Sequence, residues 1–136
     1  AAVPAGTPWG QNKAADVFSL AAEVLSARLA RSPAEAVPHW QRAVALQDAL
    51  GYDEPPAWYY PVRESLGAAL LRAGKAAEAE KVFREGVQRS PRNGRMLFGL
   101  RESLTAQGKK DAAAWVDREF QASWAKADVR PRLEEM

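Results

Sequence analysis

The chain contains no cysteine, no isoleucine, two threonines and one histidine in 136 residues. Without cysteine, disulfides and thiolate metal sites are excluded, and the redox compartment stays open. With one histidine, any Ser–His or Cys–His catalytic arrangement reduces to what His39 can reach. The scarcity of β-branched residues argues against an all-β fold, because strands favour those side chains. Long apolar runs are missing as well. No window approaches the roughly 18 uninterrupted apolar residues of a spanning helix, so membrane insertion is not expected. Nor does one charge dominate. Nineteen basic residues face seventeen acidic ones, for a net charge of +2. Their signs are interspersed, which reads as solvated helix faces and not as a nucleic-acid surface.

What is present is alanine, 28 residues of it, with 12 leucines. Alanine is the best helix former, so an all-α chain is expected. Residues 1–11 read as an irregular leader containing proline and glycine. There is no initiating methionine and no apolar core of a secretory signal, so the chain reads as excised from something longer. Localisation is left undetermined, cytoplasmic or exported according to what precedes Ala1.

An internal repeat organises the rest. Residues 60–93 place Leu66, Gly67 and Leu70 on one helical face, and Gly74 then stops that helix. Ala79, Val82, Phe83 and Gly86 form a second amphipathic face, with Pro91 beyond its end. Small residues at 67, 79 and 86 permit close packing of two antiparallel helices, and Phe83 and Leu70 fill the space between them. A shift of 34 residues aligns Gly108 with Gly74 and gives a further hairpin over 94–127. Asp117 then falls where Phe83 predicts an aromatic, so this repeat reads as slipped by about a residue or diverged. Backwards, Ala36, Trp40 and Ala43 match Ala79, Phe83 and Gly86 only after an insertion at 51–59. The first repeat spans about 17–50, and Ser32-Pro33-Ala34-Glu35 in its turn is a capping box with proline at the first helical position. Pro38 lies one turn later and is expected to cost a hydrogen bond or bend the helix. The repeats make one helical domain over 12–127, followed by a tail at 128–136.

The positions Leu66, Gly67, Leu70, Gly74, Ala79, Phe83, Gly86 and Pro91 resemble the tetratricopeptide repeat. Arg63 departs from that pattern where an aromatic is usual. The stretch 43–100 further resembles the C-terminal segment of longer bacterial proteins built from such repeats, in which no enzymatic activity is assigned to it. The resemblance implies three helix-turn-helix repeats, about six helices, in an α-α superhelix. It also implies a concave face lined by the first helix of each repeat. Carried onto this chain, that face offers Phe18, Leu25, Arg28 and Leu29, then Glu64 and Arg72, then Arg95, Phe98 and Glu102.

The insertion and its sequel, GYDEPPAWYYP, admit two readings. One is a proline-stiffened binding surface of Tyr52, Asp53, Glu54, Trp58 and Tyr59. The other is a helix entry, with Asp53 as cap and Pro55 or Pro56 in the first turn. His39 with Glu35, four residues apart, makes at most a weak metal pair. No nucleophile elbow or phosphate loop is present. No cofactor is implied. The leading expectation is therefore a non-catalytic scaffold that binds a protein, peptide or partner helix through the concave groove. One alternative is a structural end-cap or self-association segment of a longer solenoid. A further alternative is a metal-dependent accessory protein or enzyme centred on His39 and Asp53/Glu54.

Overall fold

A computed structural model describes residues 3–4 and 6–136; residues 1, 2 and 5 of the expected leader lie outside the described residues. The fold is all-α, 66% helical and 3% strand. The chain divides into two compact units, Ala1–Val62 and Arg63–Met136.

In the first unit a two-stranded antiparallel hairpin, β1 (Pro8–Trp9) and β2 (Asn12–Lys13), leads into α1 (Ala14–Leu29). Gly10 turns this hairpin with φ +58°, and a Cβ there would overlap the Asp53 carboxyl group. Helix α1 packs antiparallel on α2 (Pro33–Ala49). The buried face of α1 is Val17, Leu20, Val24 and Ala27; that of α2 is Ala36, Val37, Trp40 and Ala43. The expected cap is in place: Ser32 Oγ accepts from Glu35 N–H at 3.2 Å. Glu35 reaches back to the Arg31 N–H, 3.1 Å away, one residue earlier than a reciprocal box requires. Helix α2 runs on through Pro38. Pro38 and Ala34 are both exposed, so the carbonyl left without its helical donor stays in water.

Residues 51–62 form no helix, which corrects the helix-entry reading of Asp53, Pro55 and Pro56. Pro61 lacks an amide proton and restricts the residue before it, so the next helix starts only at Arg63. Gln47 holds the end of this segment, donating to Tyr60 O at 2.7 Å and accepting from Val62 N–H at 2.8 Å.

The second unit contains α3 (Arg63–Arg72), α4 (Ala76–Arg89), α5 (Gly94–Ala106) and α6 (Lys110–Trp124), each packed on the next. Helices α3 and α5 end in the same way. Gly74 has φ +77° and Gly108 has φ +71°. In each turn the following lysine closes back on the helix: Lys75 N–H donates to Leu70 O at 2.9 Å, and Lys109 N–H to Leu104 O at 3.0 Å. This is a Schellman cap, whose left-handed position glycine occupies without a Cβ penalty.

Phe83 of α4 is fully buried between two glycines. A Cβ on Gly67 of α3 would stand 2.5 Å from Phe83 Cζ, and one on Gly99 of α5 would overlap the same ring. The aromatic thus occupies the space that two missing side chains create, and α3, α4 and α5 meet around it. The last repeat diverges without slipping. Ala113 and Val116 are buried in register with Ala79 and Val82, but the Gly67/Phe83 pair is replaced by Arg101 and Asp117. Those two form an ion pair at 2.8 Å. Phe120, at the position of Gly86, supplies the buried ring.

Candidate functional site

The four groove candidates of the first unit lie on α1. Phe18 is half-exposed and meets Trp9 edge-on, with centroids 6.1 Å apart. Leu25 and Leu29 are 58% and 73% exposed, so α1 presents a second apolar strip opposite the one buried against α2. Arg28 Nη2 reaches the Tyr60 hydroxyl at 3.5 Å, and this contact raises the pKa of its guanidinium.

The insertion is tied to the β1–β2 hairpin. Asn12 and Gly51 exchange two hydrogen bonds, Gly51 N–H to Asn12 Oδ1 at 2.7 Å and Asn12 Nδ2 to Gly51 O at 3.2 Å. Asp53 accepts from Gln11 N–H at 2.9 Å. The Tyr52 hydroxyl donates to Glu54, which holds the Tyr52 pKa above its usual value. Trp58, Tyr59 and Tyr60 cluster with centroids 4.8–6.3 Å apart. Tyr52 and Tyr59 are about 80% exposed. A shallow cavity of ≈ 240 Å³ lies among Gln47, Leu50, Tyr52, Asp53, Pro56 and Trp58. The acidic and aromatic residues are therefore together, but Asp53 and Glu54 are already engaged by neighbours in the chain.

His39 does not meet Glu35 or the Asp53/Glu54 pair in any described hydrogen bond or ion pair. Its Nδ1 lies 2.7 Å from Glu23 Oε2 on α1 and 2.8 Å from Arg42 Nη2. Arg42 and then His39 lower the Glu23 pKa. The group reads as an α1–α2 crosslink. Among the described residues, no three His, Asp or Glu side chains are placed to hold a metal ion.

In the second unit, Glu64 and Arg95 are partners. Glu64, only 4% exposed, accepts from Arg95 Nε at 2.6 Å and from Asn93 Nδ2 at 3.2 Å. Asn93 also caps α5, accepting from Met96 N–H at 3.1 Å. Phe98 is buried against Phe120 at 5.9 Å, and the Arg101 guanidinium lies 5.0 Å and 5.1 Å over the two rings. Burial opposes the Arg101 charge, but Asp117 and Glu102 outweigh it and raise its pKa. Glu102 is thus spent on Arg101, at 2.6 Å. Arg72 is exposed in the last turn of α3.

Two features escaped the sequence reading. One is Glu80, a buried carboxylate that accepts from Lys109 at 2.6 Å, and from Arg84 and Gln107 at 2.8 Å each. Lys109 is the main cause of its pKa falling to about 2, with Arg84 and Gln107 adding to the effect against the cost of burial. The other is the path of residues 125–136. Trp124 stacks on Phe120 and its indole N–H donates to Val129 O at 2.6 Å, turning the chain back. Pro131 is buried, a 3₁₀ turn at Leu133–Glu135 lies against α3, and Arg95 Nη2 donates to Glu135 O at 2.7 Å. The expected tail therefore lies on the α3–α5 face. Apart from the i,i+4 pair of Glu80 with Arg84 and the Trp124–Val129 bond, the hydrogen bonds that define them join residues 27 to 40 positions apart and have no periodic signature.

The class defined by these observations is an all-α protein of paired antiparallel helices. No helix among the described residues is long and apolar enough to cross a membrane. No family model matches the chain, and no solved structure matches it. An uncharacterized protein of Aquifex aeolicus is 35% identical over 72 residues, which is 52% of this chain. The chain spans 10% of the length of that relative.

Proposed function

We propose that this chain is a non-catalytic interaction module of tetratricopeptide-repeat type that binds a peptide or partner helix on the face formed by α3 and α5. The observation that carries the reading is the recurrence of one hairpin design at the 34-residue spacing of the family. Gly74 and Gly108 close α3 and α5 by the same hydrogen bonds, so these helices are equivalent elements side by side. Arg72 lies in the last turn of α3 and Arg95 in the first turn of α5, and Phe98 of α5 borders a cavity of ≈ 380 Å³ that Phe120 and Trp124 of α6 and residues 127–131 enclose. Apolar anchors with an arginine at the rim suit peptide recognition. The test is a random-peptide display against the whole chain, with selected peptides mapped by amide and side-chain NMR shifts. Saturable binders that perturb Arg72, Arg95 and Phe98 are expected. Selected peptides that leave all three unmoved would remove this face from contention.

A second reading, self-association or docking within a longer repeat array, is favoured by the exposed strip of Phe18, Leu25 and Leu29. Light scattering after size exclusion tests it. A monomer at all concentrations, with solubility unchanged on replacing the three by serine, counts against it.

A further inference from the structure

We propose that the exposed strip of α1 is the contact surface of a two-fold homodimer in which two copies of α1 lie antiparallel. The proposal deepens the self-association reading above and rests on it.

The strip has the spacing of a coiled-coil seam. Phe18, Ala22, Leu25 and Leu29 follow one another at intervals of four, three and four residues, and all four are exposed. Residues alternating in this way are the a and d positions through which one helix packs on another at about 20°. The opposite face of α1 is already buried against α2. On the strip itself Trp9 meets Phe18 edge-on and is half-exposed, which extends the apolar surface.

The seam complements itself when reversed. With a two-fold axis at the level of residues 23–24, Ala22 faces Leu25 of the second copy twice at the centre, and Phe18 faces Leu29 at each end. Small therefore meets large in the middle. A parallel pair instead sets Ala22 against Ala22 and leaves a gap between them. Ser19, Ala21 and Ser26 flank the seam and are short and uncharged, so the helices approach without burying a charge. Arg28, the charged flank, is turned to the Tyr60 hydroxyl at 3.5 Å.

Charge selects the same orientation. Asp16 in the first turn of α1 and Arg31 just past its end are exposed, and neither side chain forms an ion pair among the described residues. Antiparallel packing brings Asp16 level with Arg31 of the second copy at both ends and sets the helix dipoles head to tail. Parallel packing sets each charge against its like. Four seam residues make a small interface, so the dimer dissociates on dilution.

The experiment uses the whole chain, whose lack of cysteine makes an introduced one a unique label. The antiparallel register puts Ser19 about 3 Å along the helix axis from Ser26 of the second copy, but about 14 Å from Ser19 of that copy. An equimolar mixture of Ser19→Cys and Ser26→Cys chains, treated with a short bismaleimide, is expected to link mainly unlike chains. Light scattering after size exclusion should show a dimer that dissociates on dilution. Leu25→Glu places two carboxylates at the centre of the seam and should raise the dissociation constant about tenfold or more. Leu25 is exposed in the single chain, so helix content by circular dichroism stays unchanged. A dimer in which like chains link preferentially, or one indifferent to Leu25→Glu, overturns the proposal and leaves self-association standing. A monomer at every concentration removes both.

Discussion

Replacing Gly67 with alanine sets two effects of known sign against each other. In an ordinary helix interior the substitution stabilises by about 1 kcal/mol, because glycine loses more backbone entropy on folding. Here the new methyl would lie 2.5 Å from Phe83 Cζ, with the two neighbouring ring carbons at 2.6 and 2.7 Å, more than an ångström inside ordinary contact. A flexible side chain would yield. Phe83 cannot, because Gly99 of α5 abuts the ring as well and the ring is fully buried. Overpacking of a pinned core residue costs about 1–3 kcal/mol, and the upper part of that range applies when neither side can move. The net expectation is a loss of about 1–2 kcal/mol in urea denaturation followed by circular dichroism. The stronger test is a sign reversal. In a Phe83→Leu background the ring is gone, and Gly67→Ala should stabilise by about 1 kcal/mol, a coupling of about 2–3 kcal/mol between the two sites. A Gly67→Ala chain more stable than the original, or the same penalty in both backgrounds, would refute the sandwich.

Glu80→Gln should cost about 1–2 kcal/mol near pH 6. Lys109 above all holds the folded carboxyl down to about 2 against an ordinary 4.5, a shift worth about 3 kcal/mol at most and less after screening by water around the half-exposed Lys109 and Arg84. Because the folded pKa is depressed, this stability is complete above about 4.5 and vanishes as pH falls toward 2. A gap between the two chains that stays constant from pH 6 to 2.5 in urea melts would be inconsistent with it. Asn93→Ala removes both the α5 cap and a donor to buried Glu64, and should lower stability by about 1.5–2 kcal/mol, with faster hydrogen exchange in the first turn of α5. Gly74→Ala and Gly108→Ala should each cost about 1 kcal/mol, since both glycines are left-handed and a Cβ at either meets no neighbour within 4 Å. Unequal costs would indicate that the two turns are not equivalent.

The insertion shows where local reading stopped being adequate. Asp53 followed by two prolines is sound helix-start chemistry, yet the segment forms a series of bends and no helix, and Asp53 serves Gln11 instead. Pro61 was the available signal, since a helix begun at Asp53 would have to hold it in its interior. The groove candidates divide in the same way. Their positions on α1, α3 and α5 followed from the repeat, but that Glu64, Arg95 and Glu102 would be taken by one another and by Arg101 did not. The Glu64–Arg95 pair forms across helices and leaves no mark in the order of residues, and although Glu102 adjoins Arg101 in sequence, only the fold turns the two side chains together.

By itself the sequence determined where helices begin and end and how they pair: Ser32, Asn93, Gly74 and Gly108 act through their own backbone or the next few residues. It also determined the buried faces, because a period of 3.6 residues is a local property of helical geometry. The tertiary structure alone decided that Phe83 sits between two glycines 32 positions apart, that Arg101 and Asp117 take the place of such a contact in the next hairpin, and that residues 131–135 return to α3 and α5. Those outcomes depend on which surfaces meet, and packing selects shape and charge across distances that no periodicity encodes.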